Sequence, residues 1–154
     1  MDSTGYDLLN FLHILAAGVW LGGGVMMQVL LGRARRATDP TRLRDAMTDA
    51  AWVGNRVFAP AALVLVLAGF GLIGQGEWDW DAWILLGIAG WGLLFLIGIG
   101  FHTRAEGQIV ELLAEHPLDA PPVRDRVRRY FIVTGIETLV LVLVILDMVV
   151  KPGL

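Results

Sequence analysis

The sequence predicts an all-α protein, a bundle of four transmembrane helices with both termini outside and helices two to four extended into the cytoplasm. Three observations predict it. The 154-residue chain is 56% hydrophobic and only 18% charged, with a mean hydropathy of +0.64, whereas ordinary soluble domains are about 45–50% apolar. Four apolar runs, Leu8 to Leu31, Val57 to Ile73, Ala82 to Phe101 and Tyr130 to Val150, each approach the roughly 17–25 residues that a spanning helix needs. The connections between the runs alternate between arginine-rich and free of positive charge, which sets an orientation. So many spans in so short a chain leave one integral membrane domain over residues 1–154.

The first run lacks a basic leading segment and an A-x-A-like cleavage site, and is too long for a signal peptide, so it reads as a retained helix. Met1 to Asp7 carries no Lys or Arg, while the connection that follows holds Arg33, Arg35, Arg36, Arg42, Arg44 and Arg56. Within it, Asp39-Pro40 has the chemistry of an N-cap followed by proline at the first helical position, which opens a polar helix running into the second span. Pro60 would free the carbonyl of Arg56 and permit a kink, or else mark a plain helix start.

The second connection, Gln75 to Asp81, holds Glu77, Asp79 and Asp81 without a positive charge, and Trp78, Trp80 and Trp83 cluster there. Tryptophans collect in this way at a membrane–water interface. The third connection is basic again, with Arg104, Arg124, Arg126, Arg128 and Arg129. His116-Pro117 closes the third helix and Ala120-Pro121-Pro122 opens the fourth. Both arginine-rich connections are therefore placed in the cytoplasm of a prokaryotic cell, with only Lys151 against the pattern. Gly18 and Gly22 form a G-x-x-x-G pair, and Gly87, Gly90, Gly92, Gly98 and Gly100 add small residues to helix three, so close helix contacts are expected.

The absence of cysteine excludes disulfides, thiolate metal sites, iron–sulfur clusters and thiol nucleophiles. No Ser/His/Asp set, phosphate loop or zinc motif is present, and the arginine runs are explained by topology rather than by nucleic acid. The lipid bilayer is the one partner that composition implies.

The remaining candidates are ionisable residues inside the apolar runs, where they are costly and mark function by default. His13 lies about 8 Å below the outer edge by helical rise. It shares a face with Ala16, Ala17, Trp20, Gly24 and Met27. Those small residues leave a slot for a planar ring walled by Trp20, or admit a neighbouring helix, and the histidine could equally hydrogen-bond across the bundle. Asp147 falls at a similar level and could orient His13, pair with Lys151, or meet interfacial water. Glu137 sits about 10 Å inside the opposite edge and needs a partner or a proton. Gln28, Asn55, Arg56, His102 and Arg104 fall on its side, so the expectation is an ion pair with Arg56 or Arg104, or a proton-handling role. His102 reads as interfacial, and roughly 20 Å of depth separates it from His13, so the two cannot ligate one iron.

His13, Trp20 and Gly23 in helix one resemble the first helix of HemJ-type protoporphyrinogen oxidases and the related CopD-like small membrane proteins. Pro60-Ala61 with Gly69 is similar to their second helix and Phe101-His102 to the end of their third. Arg129-Tyr130-Phe131, Glu137 and Val149-Val150-Lys151-Pro152 are similar to their fourth. The resemblance implies haem b, with His13 as axial metal ligand, Ala17, Trp20 and Gly23 at the cofactor, and Glu137 as the catalytic carboxylate. It also implies a porphyrin, or a quinone or other respiratory-chain electron partner. The lysine that follows a tryptophan early in helix three of that family has no counterpart after Trp80 and Trp83, and Ile136-Glu137-Thr138-Leu139 replaces its Asn-Glu-x-Pro. An uncharacterised branch of the superfamily is therefore implied rather than the oxidase itself. Three functions follow: a haem-binding redox protein, CopD-like copper handling through His13, Met26, Met27, Met148 and His102, and a structural subunit without cofactor. A homo-oligomer is compatible with each.

Overall fold

Two helical hairpins, joined at the tryptophan end between Gly76 and Ala82, make up the molecule. The computed structural model describes residues 3–37, 39–76 and 78–152. They form four long helices, α1 (Ser3–Arg36), α2 (Pro40–Gly76), α3 (Ala82–Glu115) and α4 (Pro121–Val150), each long and apolar enough to cross a membrane. Glu77 of the tryptophan connection lies outside the described residues.

The helix boundaries follow local chemistry. Asp39 caps α2, accepting from the backbone N–H of Thr41 at 2.9 Å and its hydroxyl at 2.6 Å, with Pro40 at the first helical position. His116 leaves α3 in an extended conformation, and Pro121 opens α4. Pro60 neither starts nor breaks α2. A π-helical turn over Gly54–Phe58 precedes it, in which the Ala59 N–H reaches back to the Gly54 carbonyl. The wider turn shifts the hydrogen-bond register where proline has no N–H to give. A second π turn, Gly98–His102, interrupts α3 and ends on the histidine.

Packing is uneven along the bundle. α1 lies along α2 and α3 along α4, while the two hairpins meet chiefly at the arginine-rich end. There Leu31, Leu43, Met47, Ala50, Ala105, Ile109, Leu113, Val123, Val127 and Tyr130 form the main hydrophobic core. Leu43, Met47, Ile109 and Val123 are fully inaccessible. α1 joins this core through Leu31, the last residue of its apolar run, and continues to Arg36. Towards the opposite end most large apolar side chains point outward, among them Phe11, Ile14, Leu67, Leu96 and Val149, as surfaces for acyl chains do.

The glycines divide by face. A β-carbon at Gly87 would strike the Met148 methyl, and one at Gly90 would strike Val144, so these two glycines let α3 and α4 approach closely. Gly18 and Gly22 have open space where their side chains would be. The G-x-x-x-G pair of α1 thus faces out of the bundle and makes none of the close contacts expected of it. At the tryptophan end, Lys151 adopts a left-handed conformation (φ 47°) as the C-cap of α4. Its ammonium lies 4.3 Å from the Trp78 ring centre and 5.1 Å from that of Trp83. The one cation against the charge pattern is thereby held by a cation–π contact at the interface.

Candidate functional site

Two sites were expected, one around His13 and one around Glu137, and the structure develops them differently. His13 stands between α1 and α2 with its Nδ1 2.8 Å from the Leu65 carbonyl oxygen. A carbonyl only accepts, so Nδ1 carries the proton and Nε2 keeps its lone pair. The face it shares with Ala16, Ala17, Trp20, Gly24 and Met27 turns inward as periodicity requires. The slot on that face is filled by α2: a β-carbon at Gly69 would stand 3.2 Å from the imidazole Cε1, and one at Gly23 would stand 2.6 Å from the Phe58 ring. The histidine is oriented as a metal ligand would be, and the Gly69 backbone packs against its ring, while Trp20, Gly24 and Met27 of the same face line the cavity described below. Asp147 is not joined to His13. Its Oδ2 and the Trp83 Nε1 are buried and lack hydrogen-bond partners among the described residues.

Glu137 has a fuller setting. Its Oε2 lies 2.5 Å from His102 Nε2, with the two side chains 15% and 19% exposed. The other ring nitrogen, Nδ1, is 3.8 Å from Glu106 Oε1, four residues on in α3. Tyr130 donates its hydroxyl to the same Glu106 oxygen at 2.9 Å and packs edge-on against the imidazole, with ring centres 5.1 Å apart. Gln28 of α1 closes the layer, donating to the Thr138 hydroxyl and, at 3.3 Å, to the Thr134 carbonyl. All four helices contribute to a cavity of about 160 Å³ at this level, with Trp20, Gly24, Phe58 and Leu94 as apolar walls beside the polar group. At about 30 Å³ per water, it holds on the order of five waters. Drug-sized pockets start at about 300 Å³.

Both π turns border this cavity, through Gly54, Asn55 and Phe58 on α2 and Gly98, Ile99 and His102 on α3. Such turns recur at functional positions because they re-aim a side chain without ending the helix. The partner of Glu137 is thus His102 and not Arg56 or Arg104, both of which are exposed. Asn55 borders the cavity, but its amide donates to its own helix at the Ala51 carbonyl. His102 is no bystander at the interface: the π turn carries it into the bundle. Glu106, Tyr130, Thr134 and Thr138 are site residues that the structure adds to those expected from the sequence. Their signal was helical spacing, with Glu106 at i+4 from His102, and 130, 134, 137, 138 and 141 on one face of α4.

Of the remaining predicted site residues, Trp20 lines the cavity, Gly23 receives the Phe58 ring, and Ala17 is half-buried beside His13. Met26 points outward and Met148 packs on Gly87, so the softer copper ligands do not converge. Among the described residues, no group of three or more His, Cys, Asp or Glu side chains is arranged to hold a metal ion.

Four apolar helices around a buried polar layer define a small integral membrane protein of the multi-pass helical class. The chain belongs to the DUF2269 family of predicted integral membrane proteins, which it matches over residues 7–152. No curated protein and no solved structure matches it.

Proposed function

We propose that the protein moves protons within the membrane in support of a redox or transport reaction, and that the cluster of His102, Glu137, Glu106 and Tyr130 carries them. The observation that supports this reading is the placing of one imidazole between two carboxylates, Glu137 on Nε2 and Glu106 on the side of Nδ1. Imidazole is the side chain whose ordinary pKa suits proton exchange near neutrality. A proton received at Nδ1 from Glu106 makes the imidazolium, which then yields the proton on Nε2 to Glu137. One proton has moved between carboxylates and the ring has changed tautomer. The 3.8 Å gap on the Glu106 side is closed by a small approach or one bridging water. Tyr130 holds Glu106 in place, and apolar walls flank the exchange. In this reading the arginine-rich end faces the cytoplasm and both termini lie outside.

Nitrogen NMR on histidine-labelled protein in bicelles tests the relay. The charge state of His102 is expected to follow pH with a midpoint that moves in both Glu137→Gln and Glu106→Gln. A His102 midpoint indifferent to both substitutions overturns the relay.

A second reading, a haem b protein with His13 as axial ligand and a quinone or similar electron partner, is favoured by the Nδ1 bond to Leu65, which leaves Nε2 free to ligate. The filled slot on α1 does not fit a haem between α1 and α2, and no step of the proton chemistry runs through one. Protein purified in mild detergent and supplied with haem decides: a Soret band lost in His13→Ala supports this reading, and no band removes it.

A further inference from the structure

A second cavity, of about 650 Å³, opens at the arginine-rich end between the loop from α1 to α2 and the loop from α3 to α4. Arg35, Arg124 and Arg128 line it, against a single acid, Asp119. Among the described residues the ion pairs are those of His102 with Glu106 and Glu137, so none of these arginines is held in an ion pair. Arg35 is steadied over the Phe131 ring at 4.6 Å, which holds its guanidinium at the groove. The groove also adjoins the start of α4, whose N-cap, Ala120, offers no side-chain hydrogen bond. The positive end of a 30-residue helix is thus added to three unpaired cations. The chemistry and position of the three arginines select the occupant. By helical rise from Leu31 and Tyr130, where the apolar runs of α1 and α4 end, Arg35, Arg128 and Arg124 stand about 6, 3 and 9 Å outside the hydrocarbon, while α2 and α3 carry polar length further out at this end. That interval overlaps the headgroup layer, about 5–8 Å thick on each side.

We infer that this groove is a binding site for the phosphate of an anionic phospholipid headgroup, held by Arg35, Arg124 and Arg128. Arginine suits the role because its planar fork matches phosphate oxygens two at a time. Asp119 stands ready to accept from a hydroxylated headgroup and disfavours a bare polyanion. This separates the groove from the general surplus of arginine at that end, because it concentrates binding at one place on the surface.

The experiment uses the full-length protein in nanodiscs of phosphatidylglycerol or phosphatidylcholine, with native mass spectrometry and phosphorus analysis of the lipid kept after delipidation. The wild type is expected to retain phosphatidylglycerol, and Arg124→Gln/Arg128→Gln to bind it roughly 30-fold more weakly, the loss of two basic side chains at an anionic surface. Arg42→Gln/Arg44→Gln, altered outside the groove, is expected to retain it as the wild type does. Circular dichroism checks that helix content is unchanged in both variants. Equal retention in the groove variant, or an equal loss in the control, overturns the site. So does a titration with inorganic phosphate in detergent that depends on Arg124 and Arg128 while phosphatidylglycerol does not bind.

Discussion

His13 and His102 stand in the same bundle, each in contact with a neighbouring helix, and they have opposite surroundings. His13 gives its proton to a main-chain carbonyl on a helix that packs closely against it. His102 faces ionisable side chains on both nitrogens and borders a cavity able to hold water. A histidine tied to a carbonyl is locked in one tautomer, whereas one between carboxylates can exchange protons with either. The difference arises in the backbone. α2 presents Gly69 to His13 and closes upon it, while the π turn of α3 brings His102 to α4 at the level of the cavity.

Substitutions should expose this contrast, and the largest effect is expected at His102. His102→Ala leaves the half-buried Glu137 without its partner and is expected to cost about 2–3 kcal/mol, read as unfolding free energy in bicelles. His102→Ala/Glu137→Leu should recover much of that loss, since both ends of the pair are then gone. A single mutant as stable as the wild type would show that the pair is not a buried one. Gly23→Ala comes next: the new methyl presses on Phe58, a wall of the cavity, for a cost of about 1–3 kcal/mol. Its His102 titration should change as well, and an unchanged titration would separate the cavity wall from the cluster.

His13→Ala should lose less, about 1 kcal/mol, because one neutral hydrogen bond is removed and Leu65 still lies in a helix. A loss as large as that of His102→Ala would erase the contrast between the two histidines. The smallest effect belongs to the cap of α2. Hydrogen bonds from the Thr41 hydroxyl and backbone N–H hold the Asp39 carboxyl below its ordinary value. A depressed folded-state pKa gives stability that is present above the unfolded value and lost as pH falls through the folded one. Asp39→Ala should therefore lower the melting temperature slightly at neutral pH, and the difference from wild type should vanish in acid. A gap that persists at low pH would assign the cap to something other than the carboxylate.

The helices were legible in the sequence because composition, apolar length, arginine distribution and cap chemistry all describe single segments. Asp39-Pro40, His116-Pro117 and Pro121 mark the ends they were read to mark. The polar cluster was half legible. Helical rise puts Glu137, Gln28 and His102 on one side of the bilayer, but it assumes 3.6 residues per turn, and the π turns at Gly54–Phe58 and Gly98–His102 alter which way the following residues face. For that reason the arginines looked nearer to Glu137 than the histidine did. The packing beside His13 was not legible either: small residues on α1 are equally suited to a ring or a helix, and the approach of Gly69 to the imidazole depends on how α2 lies against α1.

The most direct measurement is infrared spectroscopy of the carboxyl C=O stretch in reconstituted protein, scanned from about pH 4 to 9, where carboxyl groups and imidazole exchange protons. A band that appears with protonation, is absent in Glu137→Gln and moves its midpoint in His102→Gln is the expected result. A Glu137 band with the same midpoint whether or not His102 is present would contradict a shared proton.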